Sequence, residues 1–442
     1  MDSLLVDLYE LTMGESYVAQ GIDEKPATFQ LFCRSLPSGL GYLIAAGIED
    51  ALEFLSELRF GPEEIAFLES TGLFSSRFLD RLGGLRFTGS VRTMREGTVF
   101  FPDEPVLEVT GPLLETQIVE TALVNLVHFQ SLIAARAARC VEAAGGRRLV
   151  EFGLRRAHGG TAGVQVARAS WVAGFDATSD VLAGRRYGIP LAGTMAHSYV
   201  ECFEDETDAF RAFTSSYPDG STLLIDTYDT VEGARRAAEV GRRLAEHGGR
   251  LGAVRLDSGD LLDLSRRVRE VLDEAGLPDV TIFASGNLDE HEIARLIAAD
   301  APIDGFGVGS RLAVSTGAPY VDLVYKLVAF DGRPVLKLSA GKATLPGAKQ
   351  VWRRSAGGKF GGDVVTLADE EGPEGAEPLL APAAQGTLVE ARERAAAQLA
   401  ALPEPQRRLD AEPYPVEIST GIAELARSTT ASITGAPLRA RS

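Results

Sequence analysis

Two adjacent arginines, Arg155 and Arg156, stand in the segment EFGLRRAHGG (151–160), just after a short apolar run. A guanidinium is planar and offers paired N–H donors, so two of them at a strand end suit a carboxylate or a phosphate, although arginines at a solvated helix start look the same in a sequence. In GTMAHS (193–198), His197 also follows an apolar run, where an imidazole can serve as general base, metal ligand or nucleophile. Of the other histidines, 128, 158, 247 and 291, only His158 lies near another motif. No pair has metal-ligand spacing, which speaks against zinc. VRLDSGDL (254–261) sets Arg255 beside Asp257 and Asp260. An acid at a strand end can hold sugar hydroxyls or magnesium and can stabilise positive charge developing on a sugar ring; it can also be a helix cap. ASGN (284–287) and FGVGSR (306–311) are glycine-bearing turns of the kind that let backbone N–H groups approach a phosphate. Neither carries the lysine of a nucleoside-triphosphatase loop.

These motifs share a position. Short apolar runs recur at 148–153, 174–178, 191–196, 222–227, 252–256, 280–284 and 305–308, mostly separated by amphipathic helical stretches such as 230–247. Strand–helix alternation with short loops argues for a parallel sheet covered by helices. Seven units fit a βα barrel, closed or incomplete; an open doubly wound sheet is the alternative. Every run ends in polar side chains: Arg155 and Arg156, then Asp176, Ser179 and Asp180, His197 and Ser198, Asp226 with Tyr228 and Asp229, Asp257 with Ser258 and Asp260, Ser285 with Asn287, and Ser310 with Arg311. Some, such as Asp229 and Asn287, could be only helix caps. In a βα barrel these ends gather on one rim, where such barrels hold their sites.

The flanking stretches read differently. Residues 1–146 should hold helices at 4–20 and 48–58, strands at 27–34 and 106–109, and a long buried helix over 115–144. Residues 147–330 form the barrel domain. Residues 331–442 should carry strands near 334–338 and 350–353, a Pro/Gly-rich acidic loop at 368–386, a helix at 388–402 and a disordered tail. The net charge of −18 makes nucleic acid a poor partner. The N-terminus lacks the basic start of a signal peptide, no uninterrupted apolar run reaches membrane-span length, and three scattered cysteines suit reduced thiols. A cytoplasmic protein without a membrane partner is the expectation.

Together the segments DLYELTM (7–13), FCRSLPSGLGYLIAAG (32–47), EFGLRRAHGG, GFDATSDVLAGRRYGIPLAGTMAHS (174–198), IDTYDT (225–230), VRLDSGDL, ASGNLDE, FGVGSRL and KLSAGKATLPGAKQVWR (337–353) resemble the nicotinate phosphoribosyltransferases, in family order over roughly the first 350 residues. EFGLRR with GTMAHS and RLDSGD is a combination we know from no other family. The resemblance implies an irregular, TIM-like βα barrel beside an N-terminal α/β domain, with a C-terminal extension. It implies a homodimer with shared active sites. The implied reaction joins nicotinate to phosphoribosyl pyrophosphate, releasing nicotinate mononucleotide and pyrophosphate. ATP would be a co-substrate acting through a phosphorylated His197. Mg2+ would accompany the phosphates, near Asp257, with no metal site built from protein ligands alone. Nicotinate is assigned Tyr9, Phe152, Thr194 and Arg255, with Tyr9 contributed by the neighbouring subunit. The ribosyl donor is assigned Arg156, Ser198, Ser258, Gly286, Asn287, Gly307, Gly309 and Ser310, and catalysis His197, Asp257 and Arg155. Asp180 stands where asparagine is usual, His158 where glutamine is common, and Arg136 where lysine is more familiar. The competing readings are a nicotinamide phosphoribosyltransferase, a quinolinate phosphoribosyltransferase and a non-catalytic nucleotide-binding barrel.

Overall fold

The fold is taken from a computed structural model of the chain, in which residues 2–339 and 343–435 are described. The backbone divides into two compact units, one formed by Ile133–Pro319 and the other by Met1–Leu132 with Tyr320–Ser442.

The second of these is built on a six-stranded antiparallel sheet. Its middle strand, Pro26–Cys33, pairs on one side with Pro105–Pro112 and on the other with Leu323–Phe330, nearly 300 residues away. Phe29 stacks on Tyr325 at 4.9 Å between ring centroids, and both are buried. This pairing moves the domain boundary. The sequence reading places 323–330 at the end of the barrel, whereas the strand completes the N-terminal sheet. The segment after 330 joins the same unit rather than standing apart. The acidic loop is not featureless: Ala381–Pro382 extends the six-stranded sheet, and Glu377–Pro378 edges a second sheet built on the hairpin of Lys349–Ala356 and Lys359–Leu367. Proline cannot donate to a ladder, which suits both pieces to sheet edges.

The long helix expected over 115–144 is split into Leu113–Gln117 and Glu120–Ala144. The Tyr325 hydroxyl donates to the Thr116 carbonyl at 2.8 Å, taking an acceptor that a continuous helix would use. The whole stretch Leu113–Ala144 is long and apolar enough to cross a membrane, which the sequence reading did not anticipate. Most of its apolar portion is buried within the protein, the behaviour of a core helix. The helix Leu388–Ala401 starts with a full capping box, Thr387 with Glu390. A further helix, Thr420–Thr434, begins at a Ser419 cap and was not foreseen, because its run of Ser, Thr and β-branched residues has low intrinsic helix preference. The tail expected to be disordered lies, over 436–442, outside the described residues.

The unit Ile133–Pro319 is a curled, wholly parallel sheet in the order Ala177–Thr178, Arg148–Glu151, Gly305–Val308, Thr281–Ser285, Arg250–Leu256, Asp219–Leu224. Helices follow the strands, and several start on an aspartate cap: Asp180, Asp229, Asp260 and Asp289 each accept a backbone N–H of their helix. The third run, 191–196, adds only a single parallel bridge, Leu191 to Thr178. With it the sheet runs third, second, first, seventh, sixth, fifth, fourth, the order of a βα barrel opened between its third and fourth strands. Backbone ladders do not close that gap among the described residues; side chains reach over it, as the site shows.

Candidate active site

Arg255 is the centre of the strand-end cluster. It sits one residue before the end of the Arg250–Leu256 strand with its side chain 13% exposed. Its Nε donates to Ser285 Oγ at 2.9 Å, Nη1 to Thr194 Oγ1 at 2.6 Å and to the Met195 carbonyl at 3.2 Å, and Nη2 to Asp257 Oδ1 at 3.0 Å. A guanidinium has five N–H groups, so one on Nη2 remains for a ligand. The Thr194 contact carries the third run across the gap in the sheet. Phe152 lies beneath, its ring centroid 5.7 Å from the guanidinium carbon, a cation–π arrangement. Phe152 in turn rests on Phe283 and over the Gly305–Val308 strand: a Cβ at Gly307 would come within 2.5 Å of the Phe152 ring. The glycine is what lets an aromatic floor form there.

Asp257 faces Arg255 from the next turn. Burial disfavours its ionisation, but the Ser285 hydrogen bond at 2.5 Å, the Arg255 charge and hydrogen bond, and nearby His197 outweigh that and hold the carboxyl below its ordinary range. The turn is fixed from the side by Asp226, whose Oδ2 accepts the Asp257 N–H at 3.0 Å and the Ser258 hydroxyl at 2.6 Å. The cap of the following helix is Asp260, so the two acids of RLDSGD divide the roles: one caps, one faces the arginine.

His197 opens the short helix His197–Glu201 and is half-buried. Its Nδ1 hydrogen-bonds Thr227 Oγ1 at 3.1 Å, a second side-chain bridge over the gap between third and fourth strands. That leaves Nε2 as the ring atom open to chemistry. The ring is among the groups that help hold the Asp257 carboxyl down, so the imidazole belongs to the same electrostatic site.

Beside this cluster opens a cleft of about 390 Å3 lined by Asp257, Ser258, Gly286, Asn287, Arg295 and Arg311 among others. Gly286 has φ +90, and a Cβ there would stand 2.0 Å from the Asp257 carbonyl oxygen; only glycine fits. Asn287 also takes a positive φ, 52, and is not the cap of its helix, which is Asp289. Asp289 also holds Arg311 at 2.6 Å.

The other expected residues fall less centrally. Arg155 and Arg156 lie on an exposed turn, Leu154–Arg156, and among the described residues neither joins the Arg255 cluster. Ser198 is exposed, Gly309 precedes the four-residue helix Ser310–Ala313, and exposed Ser310 starts it. Asp180 is fully buried, with Oδ1 capping Ala183 at 3.0 Å and Oδ2 unpartnered. His158 is exposed. Tyr9 belongs to the other unit. There it is 45% exposed beside an open cleft of about 450 Å3 with Glu120, His128, Tyr320 and Lys326. Burial and a hydrogen bond with Glu120 raise its phenol, keeping it protonated. The sequence reading places Asp226, Ser285 and Arg311 among the polar run ends without giving them a role, and it does not name Thr227 or Arg295. Thr227 is the last residue of the fourth run and is legible by that rule. Arg295 comes from the middle of a helix, where no sequence signal marks it.

Among the described residues no group of three or more His, Cys, Asp or Glu side chains could hold a metal ion. Two carboxylates at the cleft, the helix-capping Asp260 and Asp257, whose Oδ1 is already held by Arg255 and Ser285, suit magnesium arriving on a phosphate, which keeps its waters and takes one or two protein oxygens.

Comparison with known proteins agrees with this layout. Residues 4–128 match the family model of the nicotinate phosphoribosyltransferase N-terminal domain. Residues 133–326 match that of the quinolinate phosphoribosyl transferase C-terminal domain, starting where the barrel unit starts. A nicotinate phosphoribosyltransferase of Mycobacterium tuberculosis is 47% identical over 96% of this chain and 93% of its own. One from Bacillus subtilis is 42% identical over 84% of this chain and 77% of its own. The crystal structure of human nicotinic acid phosphoribosyltransferase superposes with a TM-score of 0.85 at 31% identity, covering 96% of this chain and 99% of that one. The chain belongs to the nicotinate phosphoribosyltransferase family.

Proposed function

We propose that the chain transfers the phosphoribosyl group of phosphoribosyl pyrophosphate to nicotinate, giving nicotinate mononucleotide and pyrophosphate for NAD biosynthesis. The observation that carries this reading is Arg255, locked over Phe152 with one N–H left unfilled. That is a place for an aromatic ring bearing a carboxylate. The relatives of high identity, named as nicotinate phosphoribosyltransferases, support the same substrate.

In this reading the pyridine nitrogen attacks the anomeric carbon while the carbon–oxygen bond to pyrophosphate breaks and its electrons leave with that group. The ring nitrogen becomes cationic, and no covalent intermediate with the protein is required. Positioning and electrostatics carry the rate. Arg255 and Thr194 hold the nicotinate carboxylate, and Phe152 takes the ring face. Asp257, kept anionic by its neighbours, meets the ribose hydroxyls where positive charge develops. Ser258, Gly286 and Asn287 line the cleft for phosphate oxygens; Gly307 lies in the Gly305–Val308 strand, Gly309 and Ser310 follow it, and Ser198 lies in the His197–Glu201 helix. Arg155 and Arg156, exposed on their turn, answer the pyrophosphate charge. Mg2+ would supply further neutralisation of pyrophosphate near Asp257.

ATP couples through His197: with Nδ1 on Thr227, Nε2 attacks the γ-phosphorus, ADP leaves, and the phosphohistidine is later hydrolysed. The proposal includes a homodimer in which Tyr9 serves the neighbouring subunit's site. It also includes a cytoplasmic location, in keeping with three free cysteines. The quinolinate domain match reflects a shared barrel and gives that substrate a place in the test. The test is product analysis with nicotinate, nicotinamide and quinolinate side by side, each with the ribosyl donor and Mg2+, with and without ATP. Nicotinate mononucleotide formed fastest and with ATP stimulation is the expected result; a preference for either other base overturns the reading.

A further inference from the structure

The Glu151 side chain, one residue before Phe152, is 1% exposed and has no part in the chemistry above. It ends the Arg148–Glu151 strand, between the neighbouring strand ends at Thr178 and Val308. Oε1 accepts the N–H of Gly153, and Oε2 accepts the Thr178 hydroxyl at 2.6 Å. Thr178 Oγ1 in turn accepts the Asp180 N–H at 3.0 Å. Gly153 then turns the chain: Arg156 and Ala157 both donate to its carbonyl, at 2.9 and 3.1 Å. A Cβ on Gly153 would stand 2.6 Å from Ala313 Cβ and 2.7 Å from the Glu151 carboxylate, so position 153 is bare because Ala313 and the carboxylate together occupy that space. One buried side chain therefore ties the start of the turn bearing Phe152, Arg155 and Arg156 to the next strand end.

We infer that Glu151 is a positioning residue: as an anion with two acceptor oxygens it sets the direction of the 152–156 turn. It thereby sets the Phe152 face under Arg255 and the reach of the two exposed arginines. This rests on the nicotinate reading for the identity of the ligands. The bonds to Gly153 and Thr178 use both carboxylate oxygens as acceptors, which a protonated carboxyl does less well. Burial pushes the carboxyl up to about 7, helped by the Asp180 carboxylate and opposed by the Thr178 and Gly153 hydrogen bonds. The charge acting on it is Asp180's, from the start of the Val181–Tyr187 helix; the Gly305–Val308 strand on its other side has no titratable side chain. Substrate binding should therefore weaken as pH falls through the neutral range.

The experiment compares the full-length wild type with Glu151→Gln, Thr178→Val, Thr178→Ser and Asp180→Asn. Thermal unfolding is recorded for each, and KM and kcat for nicotinate and the ribosyl donor are measured from pH 5.5 to 8.5. Glu151→Gln and Thr178→Val are expected to raise KM roughly ten- to a hundredfold, the loss of one charge-assisted hydrogen bond, with a smaller change in kcat. Thr178→Ser should stay near wild type, the acid limb of kcat/KM should vanish in Glu151→Gln, and it should move to lower pH in Asp180→Asn. If Glu151→Gln does not fold, the Thr178 pair carries the same comparison. Folded variants with wild-type KM and an unmoved acid limb overturn the inference. A wild type that forms no nicotinate mononucleotide overturns instead the reading of function, and calorimetric binding of the ribosyl donor then still tests the position of the arginine turn.

Discussion

Replacing Arg255 by lysine keeps the charge and changes only the count of donors. The arginine spends four N–H groups on Ser285, Thr194, the Met195 carbonyl and Asp257, and keeps a fifth. A lysine ammonium has three donors on one nitrogen, fewer than the four protein acceptors already present. None is then left for a substrate carboxylate, and at least one protein acceptor is stranded in a largely buried site. A hydrogen bond to a charged partner contributes about 1.5–3 kcal/mol, so one lost bond is worth roughly ten- to a hundredfold in nicotinate affinity. The loss should fall on nicotinate: its KM rises by that factor in Arg255→Lys and further in Arg255→Ala, while KM for ATP moves little. The assay is steady-state kinetics with each substrate varied in turn, on variants whose unfolding curves confirm a folded protein. A nicotinate KM equal to wild type in Arg255→Lys, or equal changes for nicotinate and ATP, would refute the donor count.

Three further outcomes are expected. His197→Ala should abolish ATP hydrolysis coupled to product formation while slow ATP-independent transfer persists, read by ADP release against nucleotide product; unaltered coupling would remove the imidazole from the mechanism. Gly286→Ala places a Cβ 2.0 Å from the Asp257 carbonyl at a φ of +90, so it should cost about 1–3 kcal/mol of stability in urea titration and lower kcat/KM by displacing Asp257; a neutral result would contradict the geometry. Burial pushes Glu10, Glu151 and Glu206 up to about 7 and Lys349 down to about 7. Between the ordinary carboxylate range and pH 7 each of these folded carboxyls holds a proton that its unfolded form has lost, whereas above pH 7 the unfolded chain keeps a proton that folded Lys349 has lost, which opposes the gain there. The urea stability of wild type relative to Glu151→Gln should therefore rise as pH falls from 7 to 6, by at most about 1.4 kcal/mol, and a relative stability that falls over that interval would contradict it.

The barrel was legible because its signal is local: apolar runs end in polar residues, and those ends meet on one rim whatever the strand order. For the same reason Arg255, Asp257 and His197 stand out in the sequence, whereas Thr194, inside the third run, is marked only by the family resemblance. The opening between third and fourth strands was not legible, since a run such as 191–196 looks like a strand whether it makes a ladder or a single bridge. Nor was the pairing of Leu323–Phe330 with Pro26–Cys33, a contact between segments far apart in the chain that no periodicity encodes. Glu151 stood in a quoted motif without a role because its work is done through the backbone of Gly153, and a sequence does not show which oxygen meets which amide.

The central claim is one of location: nicotinate lies on Phe152 with its carboxylate at the free N–H of Arg255, next to Asp257 and His197. A crystal structure of the protein with nicotinate and the ribosyl donor tests it directly. The expected density places the carboxylate within hydrogen-bonding distance of Arg255 Nη2 and the ring over Phe152. Nicotinate bound elsewhere, with the Arg255 cluster filled only by its own protein partners, would contradict the account.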